Sequence, residues 1–344
     1  MYLTEKEIFT QYEALDKTYQ YFLGKAEEIG DFTNKINYNS ITFIGCGSSY
    51  CLAQSAETSA KIQLGIPANS IPAGDLMINF PFYRKILKDT LLVVNSRSGS
   101  TSEVLAAVKR AKKELNTPCI LISAKTNSEL GNIVDLNIEL PWSFDESVCQ
   151  TRTVTNFYTA NLLLLAIINN DDSILNEIKI AINKGEEYIN EYTPLLEKIA
   201  KDNIWNKVVL LADSELDGIA NEAAIAFKEI PQLPSNYYHV LDVRHGPMVL
   251  IDDKTLVIMA VAPFESSYQR ELIKDIKNKG AKVISFGSKE EIGADYHIKV
   301  SDYENYSVKG IPFIFISQVI AYYKALELGI NPDKPLGLDP WIEL

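Results

Sequence analysis

The sequence contains few histidines and cysteines and more acidic than basic side chains, and each shortage narrows the possible functions. Its 344 residues include three histidines and four cysteines, and 45 acidic against 33 basic residues give a net charge of −12. The cysteines show neither CxxC pairs nor another metal-ligand spacing, so we expect reduced thiols in a cytoplasm and no disulfide framework. The negative charge argues against a nucleic-acid surface, because such surfaces neutralise phosphates with cations. Because the chain as a whole is negative, an anionic substrate would need hydrogen-bond donors placed at its binding site.

Long apolar runs are scarce too. The longest, Ala160–Ile168, is too short to span a bilayer. The stretch Met1–Glu7 is acidic and has no apolar segment of the kind that secretory signals carry. The hydrophobic fraction of 47% is instead that of a soluble globular protein. The length allows two domains of ordinary size, so the sequence predicts a two-domain cytoplasmic protein.

Short apolar strands alternate with helical segments along the chain, a pattern typical of doubly wound parallel sheets. The pattern occurs twice, and a long charged helix over Leu175–Ala200 separates the halves. A capping box at Thr4–Glu7 predicts a helix that continues to about Glu28. The predicted strands are Ile41–Gly45, Thr90–Asn95, Cys119–Ser123 and Val134–Ile138 in the first half, and Lys207–Ala212, Thr255–Val261 and Ala281–Phe286 in the second.

A Ser/Gly/Thr turn, Ser96–Thr101, connects a buried strand to a helical segment that starts at Ser102. Such a turn places hydroxyl and backbone N–H groups at a helix N-terminus, where the helix dipole also favours negative charge. The turn contains no acidic residue, and Arg97 adds a full positive charge. It therefore fits a phosphate dianion. The alternative is an ordinary helix cap in which Ser100 or Thr101 binds the first backbone N–H groups.

A second small-residue turn, Cys46–Tyr50, follows the strand Ile41–Gly45 in the same way. Because ligands of doubly wound sheets lie beyond the carboxyl ends of the strands, we expect both turns at one edge of the first sheet. The corresponding turn of the second half, Ala262–Glu265, contains Pro263, which lacks an N–H, and Glu265, which repels anions. One phosphate site per chain is therefore expected, unless two subunits share a site.

Two residues of the second half are candidates for acid–base chemistry. Glu229 lies just before Pro231, which must end its helix, so the negative end of the dipole disfavours the charged carboxylate. Such a group suits proton abstraction, although a solvated glutamate paired with Lys228 or Arg244 is the alternative. His245, in a Gly-Pro turn, is either an acid–base group or a surface or capping histidine. The other histidines are predicted to be structural: His239, in an alternating strand, and His297.

These stretches together resemble the double sugar isomerase (SIS) domain family. The resemblance is closest to the isomerase half of glucosamine-6-phosphate synthase and to the related phosphosugar deglycases, deaminases and isomerases. It covers roughly residues 35 to 340 and depends on four motifs in order, with His245 sixteen residues beyond Glu229. The motifs are Cys46–Tyr50, Ser96–Thr101, Glu146–Arg152, and Lys228–Ile230 with Arg244–Pro247.

The resemblance implies an α/β fold of two tandem doubly wound, flavodoxin-like parallel-sheet SIS domains with flanking helices. The first domain is expected to bind phosphate and the second to carry the catalytic residues. No glutaminase domain is expected, because no cysteine nucleophile follows Met1. The implied division is an N-terminal helix over 1–34, SIS domain 1 over 35–172, a linker helix over 173–202, SIS domain 2 over 203–330, and a C-terminal tail or lid over 331–344.

The resemblance also implies a role for each matched residue. Glu229 is expected to move a proton between C1 and C2 of an open-chain sugar. His245 is expected to assist ring opening in the site of the neighbouring subunit, which implies a homodimer. Neither a metal nor an organic cofactor is implied. The phosphate is expected to be held by Ser96, Arg97, Ser98 and Thr101, and the sugar chain to be lined by Cys46, Gly47, Ser48, Ser49 and Val148.

Two departures from the synthase pattern concern lysines. The lysine three residues before the catalytic glutamate is replaced by Ala226. The C-terminal loop lysine falls near Pro340, and Lys334 lies too early in the chain to be its obvious substitute. The tail still resembles a lid, with Trp341 and Glu343 as expected contacts.

The sequence therefore predicts a cofactor-independent enzyme for a 6-phosphorylated sugar or amino sugar. It would act by proton transfer between C1 and C2, as an isomerase, a deaminase or a deglycase, since these activities need the same core residues. The alternative is a non-catalytic phosphosugar-binding sensor. A sensor would need neither Glu229 nor His245, so their joint presence favours the enzyme.

Overall fold

Two parallel five-stranded sheets organise the chain, which confirms the predicted α/β fold. The computed structural model describes residues 1–264, 266–289 and 292–338 and divides into two units. The first unit comprises Thr10–Glu146 and Gln150–Lys179. The second comprises Met1–Phe9, Ser147–Cys149 and Ile180–Leu338. Each unit contains one of the sheets.

The regular elements follow the predicted alternation of strands and helices. The strands are β1 (Ser40–Gly45), β2 (Ala68–Pro72), β3 (Thr90–Ser96), β4 (Cys119–Ser123), β5 (Leu136–Glu139), β6 (Lys207–Leu211), β7 (Ser235–Tyr238), β8 (Thr255–Ala260), β9 (Lys282–Gly287) and β10 (Tyr296–Lys299). The helices are α1 (Leu3–Phe9), α2 (Gln11–Lys35), α3 (Ser48–Leu64), α4 (Ala73–Tyr83), α5 (Ser102–Leu115), α6 (Arg152–Asn169), α7 (Asp172–Asn183), α8 (Gly185–Ala200), α9 (Asp217–Glu229), α10 (Ser266–Asn278) and α11 (Gly310–Glu327). None of these described helices has the length and apolar content needed to cross a membrane.

The two sheets share one topology. The strands run in the order β2-β1-β3-β4-β5 in the first sheet and β7-β6-β8-β9-β10 in the second, and every neighbouring pair is parallel. Counted within each unit, both orders are 2-1-3-4-5, the flavodoxin-like arrangement. The direction of winding reverses between β1 and β3 in the first unit and between β6 and β8 in the second. Ligands of such sheets bind at this reversal, beyond the carboxyl ends of the strands.

Each unit has a long apolar helix in its core. In the first unit α6 is buried continuously from Thr153 to Ile167 and packs against α2 and α3. Its buried hydroxyls are hydrogen-bonded: Thr159 Oγ1 donates to the Thr155 carbonyl of the same helix at 2.9 Å, whereas Thr153 Oγ1 donates to the Ser143 carbonyl at 2.7 Å. In the second unit α11 is buried continuously from Gly310 to Tyr322 and packs against α8 and α9. The second half of α6, Leu162–Ile167, and most of α11 are apolar on all sides, which explains their buried positions.

The amino-terminal helix differs from the prediction. Two helices occupy the stretch, because α1 ends at Phe9 and α2 continues to Lys35. The predicted Thr4–Glu7 capping box is wrong. The backbone N–H groups of Leu3 and Thr4 each donate to the Asp333 carboxylate at 2.8 Å. A side chain 330 positions along the sequence thus caps α1, and local sequence could not indicate it.

Other differences arise where local signals are weak. The predicted helix over Leu175–Ala200 is interrupted between α7 and α8, where Gly185 follows the break, as expected from glycine's low helix propensity. The prediction lacks β2 and β10, both short edge strands that contain polar residues. His239 lies just after β7 and not within a strand.

Candidate functional site

The turns after β1 and β3 lie side by side in the first unit. Strand β1 pairs directly with β3, in a register that places Ile44 opposite Val94, so both turns emerge at the same edge of the sheet. This edge is the point at which the winding reverses. The structure therefore brings together Cys46–Ser49 and Ser96–Thr101, as the sequence predicts, at the position where doubly wound sheets bind ligands.

Internal hydrogen bonds fix the shape of the Ser96–Thr101 loop. The Gly99 N–H donates to Ser96 Oγ at 3.1 Å, and the Ser100 N–H donates to Ser98 Oγ at 3.2 Å. Gly99 has a φ of +61°, and a Cβ at this position would overlap the Ser128 side chain. Glycine is therefore required here by both backbone conformation and space.

The two helices that follow these turns begin without a side-chain cap. Thr101 is the N-cap residue of α5, but its side chain makes no capping hydrogen bond. Gly47 is the N-cap residue of α3 and has no side chain to offer. The ordinary-cap interpretation with Thr101 is therefore wrong. In α3 the Ser49 and Tyr50 N–H groups already donate to the Cys46 and Gly47 carbonyls, at 3.1 and 2.9 Å. At the start of α5, an anion can serve as acceptor for the first N–H groups of the helix.

Arg97 is the cationic residue of the loop. Its guanidinium carbon lies 5.9 Å from the centroid of the Phe144 ring, within the range of a cation–π contact. The Phe144 carbonyl accepts a 2.6 Å hydrogen bond from Arg152 Nη2. Arg152 thus holds the Phe144 backbone, and the Arg97 guanidinium lies over the Phe144 ring. These contacts favour a restricted position for the Arg97 charge.

Cys46 belongs to the first turn and is partly buried. Burial raises the pKa of its thiol to about 11, and the nearby Glu103 carboxylate adds to the rise. Hydrogen bonds from the backbone N–H groups of Gly74 and Ala73, at the start of α4, act in the opposite direction. The thiol is therefore protonated at neutral pH and is not a nucleophile there.

We expect Cys46 to resist alkylation until strongly alkaline pH. At pH 8 a thiol with this pKa is only about 0.1% thiolate, so its reaction with iodoacetamide should be about 100-fold slower than that of an ordinary cysteine. The rate should rise about tenfold for each pH unit up to pH 10. Mass spectrometry of the Cys46 peptide measures it, with the urea-unfolded chain as control. A rate that levels off below pH 9 would contradict this expectation.

The Glu146–Arg152 motif divides between the two units. In the first unit the buried Asp145 carboxylate accepts the backbone N–H groups of Thr151, Arg152 and Thr153 at 2.9 to 3.1 Å and so caps α6. Burial raises the pKa of Asp145, and these hydrogen bonds lower it. Ser147–Cys149 belongs to the second unit. Asp145 was not among the predicted site residues, and local sequence carries no signal for it, because an ordinary N-cap side chain bonds N–H groups two or three positions after it, not six to eight.

Glu229, the predicted base, is the last residue of α9 and is half-buried. The chain reverses directly after it, with Gln232 at a φ of +53° and a 3.0 Å hydrogen bond from the Leu233 N–H to the Phe227 carbonyl. Gln232 Nε2 donates to the Leu336 carbonyl at 2.7 Å. Leu336, in the described part of the C-terminal tail, therefore lies close to the end of α9 that carries Glu229.

His245 lies on the exposed surface of the second unit. It follows a short 3₁₀ turn, Asp242–Arg244, and its N–H donates to the Asp242 carbonyl at 2.8 Å. Arg244 pairs with Asp275 at 2.6 Å. The neighbouring Val249 and Leu250 side chains are 80% and 60% exposed. His245 thus belongs to a surface that is apolar as well as accessible.

The corresponding edge of the second sheet is acidic. Asp213 follows β6, and its carboxylate oxygen lies 3.0 Å from His239 Nδ1. After β8, the Ala262 N–H donates to the Gln269 side chain at 2.9 Å, so this turn uses its backbone internally. Both features agree with the expectation of one phosphate site per chain. Glu265 itself lies outside the described residues.

Two further predictions concern the tail and metals. Lys334 is exposed, and its N–H donates to the Asn331 carbonyl at 3.3 Å. Pro340, Trp341 and Glu343 lie outside the described residues. Across the parts of the chain that the structure describes, no three histidine, cysteine or acidic side chains are grouped so that they could hold a metal ion.

Comparisons with known proteins agree with the fold. The sequence profile of the SIS domain matches residues 36–167 and 204–319. Among solved structures, a glucosamine-6-phosphate deaminase from Thermotoga maritima superimposes with a TM-score of 0.85 at 26% identity, covering 99% of this chain and 100% of that one.

Curated relatives include both synthases and deaminases. The chain is 27% identical to glutamine–fructose-6-phosphate aminotransferase (isomerizing) of Wigglesworthia glossinidia brevipalpis, over 97% of this chain but only 57% of the relative. It is 28% identical to D-galactosamine-6-phosphate deaminase AgaS of Shewanella sp. (strain ANA-3), over 86% of this chain and 77% of the relative. The chain thus spans little more than half of the aminotransferase. The family predicted from the four motifs is confirmed: the chain belongs to the SIS domain family, among relatives that are phosphosugar isomerases and deaminases.

Proposed function

We propose that this chain releases ammonia from a 6-phosphorylated 2-amino sugar by an isomerase-type proton transfer between C1 and C2. The observation that carries the proposal is the pair of adjacent turns beyond β1 and β3, at the edge of the first sheet where the direction of winding reverses. The comparisons support the deaminase form, because a D-galactosamine-6-phosphate deaminase and a glucosamine-6-phosphate deaminase are both among the relatives of this chain.

The Ser96–Thr101 loop is assigned to the phosphate. The first N–H groups of α5 and the hydroxyls of Ser98 and Thr101 donate to its oxygens, and Arg97 balances its charge. The overall charge of −12 makes such local donors necessary. Phosphate binding far from the reacting carbons orients the substrate for the proton transfer.

Glu229 is assigned to the proton transfer. It takes the proton from C2 of the open-chain aldose, giving an enolamine, and returns it to C1, which leaves an imine of the ketose at C2. Water then adds to C2 and the C–N bond breaks, releasing ammonia and the ketose 6-phosphate. The amine released in this scheme is the substrate's own. Ala226, at 2% exposure, stands where the synthase pattern has a lysine.

A substrate panel tests the proposal. The chain is incubated in deuterated water with glucosamine 6-phosphate, galactosamine 6-phosphate or glucose 6-phosphate, and ammonia, ketose 6-phosphate and deuterium at C1 are measured. We expect equal amounts of ammonia and ketose 6-phosphate from an amino sugar, with solvent deuterium at C1. Ketose formed from glucose 6-phosphate alone would indicate an isomerase without amine release. Tight binding without any product would indicate the sensor instead.

We further propose that the chain acts as a homodimer in which His245 of the partner subunit assists ring opening. The exposed position of His245 beside Val249 and Leu250 supports a second copy of the chain as the occupant of this surface. Burying large apolar side chains in a symmetric interface stabilises such a dimer.

Mixing two inactive variants tests the shared site. Glu229→Gln and His245→Asn homodimers should each be nearly inactive, whereas the mixed dimer regains one intact pair of residues. Subunits exchanged by co-expression should recover about a quarter of the wild-type activity, since half of the dimers are mixed and half of their sites are intact. Each variant co-expressed with itself is the control. A monomeric protein, or no recovery in verified mixed dimers, would contradict the arrangement.

A further inference from the structure

We infer that α1 and the segment Asn331–Leu336 act together as a clamp that positions Val148, with Glu7 as its central positioning residue. This inference rests on the proposed function, in which Val148 contacts the sugar chain. All of the residues that form the clamp belong to the second unit. None of them was predicted as a site residue apart from Val148.

The first half of the clamp joins α1 to Ser147. The Glu7 side chain is 2% exposed, and its carboxylate accepts the Ser147 N–H at 3.1 Å and also the Ser147 hydroxyl. Ser147 Oγ lies 2.9 Å from the Cys149 carbonyl as well. A buried carboxylate bonded in this way holds the backbone at Ser147, directly before Val148.

The second half of the clamp joins α1 and Val148 to Asp333, near the start of the C-terminal tail. The Asp333 carboxylate accepts the N–H groups of Leu3 and Thr4 at 2.8 Å and the Thr4 hydroxyl at 2.9 Å. The backbone carbonyl of Asp333 accepts the Val148 N–H at 3.2 Å. One residue therefore caps α1 through its side chain and binds Val148 through its main chain.

The contacts restrain the backbone and leave the side chain of Val148 available. Ser147 and Cys149 are buried, whereas Val148 between them is half-exposed. The tail segment continues to Leu336, whose carbonyl accepts the bond from Gln232, three residues after Glu229. The clamp thus spans from the predicted sugar contact to the helix end that carries the predicted base.

Substitutions of Glu7 test the clamp. We expect Glu7→Ala to raise KM about tenfold with kcat changed less than about threefold, because Val148 contacts the ground state and the transition state alike. Hydrogen exchange at the Ser147 and Val148 amides should accelerate at least tenfold. Glu7→Gln keeps an acceptor for the Ser147 N–H and should restore KM to within about threefold of wild type. Glu13→Ala, at an exposed position of α2, is the matched control and should match wild type.

The outcomes separate this inference from the proposed function. If the wild type releases no ammonia, the proposed function fails, and the dissociation constant of glucosamine 6-phosphate replaces KM as the readout of the clamp. Faster exchange with unchanged KM or dissociation constant would overturn the clamp, as would a loss of kcat alone. If Glu7→Ala does not fold, Ser147→Ala decides: it removes one of the two Glu7 bonds and should raise the same constant about threefold. An unchanged constant in that variant would overturn the clamp.

Discussion

Glu229→Gln is expected to lower kcat by about 10²- to 10⁴-fold, the usual contribution of a positioned general base. The amide has the shape of the carboxylate but cannot take up the C2 proton. The dissociation constant of a sugar phosphate should change less than about threefold, because the proposed phosphate donors belong to the first unit. Ammonia release measures kcat, and titration calorimetry measures binding.

Glu186→Gln provides the matched control for this experiment. Glu186 is exposed in the first turn of α8, in the same unit as Glu229, so its replacement should leave both constants unchanged. Full turnover in Glu229→Gln would remove Glu229 as the base. Loss of binding and turnover together would indicate a structural role for this carboxylate.

The double variant Ser98→Ala, Thr101→Ala should weaken binding of phosphorylated ligands by about 100-fold or more. Each hydroxyl that donates to a charged group contributes about 1.5 to 3 kcal/mol, and two such bonds are lost. Binding of the unphosphorylated amino sugar should not change, since it makes neither bond. Calorimetric titration with glucosamine and with its 6-phosphate separates the two effects.

Ser173→Ala is the control for the loop variant, because Ser173 is an exposed serine of α7 in the same unit. Equal losses for the phosphorylated and the free sugar would show that the loop shapes the site as a whole. In that case phosphate recognition would have to be assigned elsewhere.

Much of the fold could be predicted because its signals are local. Strands such as β3 and β8 are continuous apolar runs, as expected in parallel sheets covered on both faces. The turn at Ser96–Thr101 carries its own signal in its hydroxyl and glycine residues. The prediction missed the edge strands β2 and β10, because few side chains of an edge strand need to be buried.

The arrangement around Val148 could not be predicted from local sequence. Glu7 and Ser147 are 140 positions apart, and Asp333 and Leu3 are 330 apart. The presence of each of these residues can be explained from its local sequence alone. The Thr4–Glu7 pattern even indicates a capping box within the helix and not a contact with a distant residue. Only a tertiary contact shows which acceptor the α1 N–H groups use.

The separation of α1 from its capping residue has a consequence for the order of folding. On the ribosome α1 is made well before Ile180–Leu338, which forms most of its unit and includes Asp333, the residue that caps it. Until Asp333 has been synthesised, the first N–H groups of this short helix lack the carboxylate that caps them, and a helix of this length is marginal in water. Its docking closes a very long loop, so we place it among the last events of chain maturation, after the first sheet has already formed.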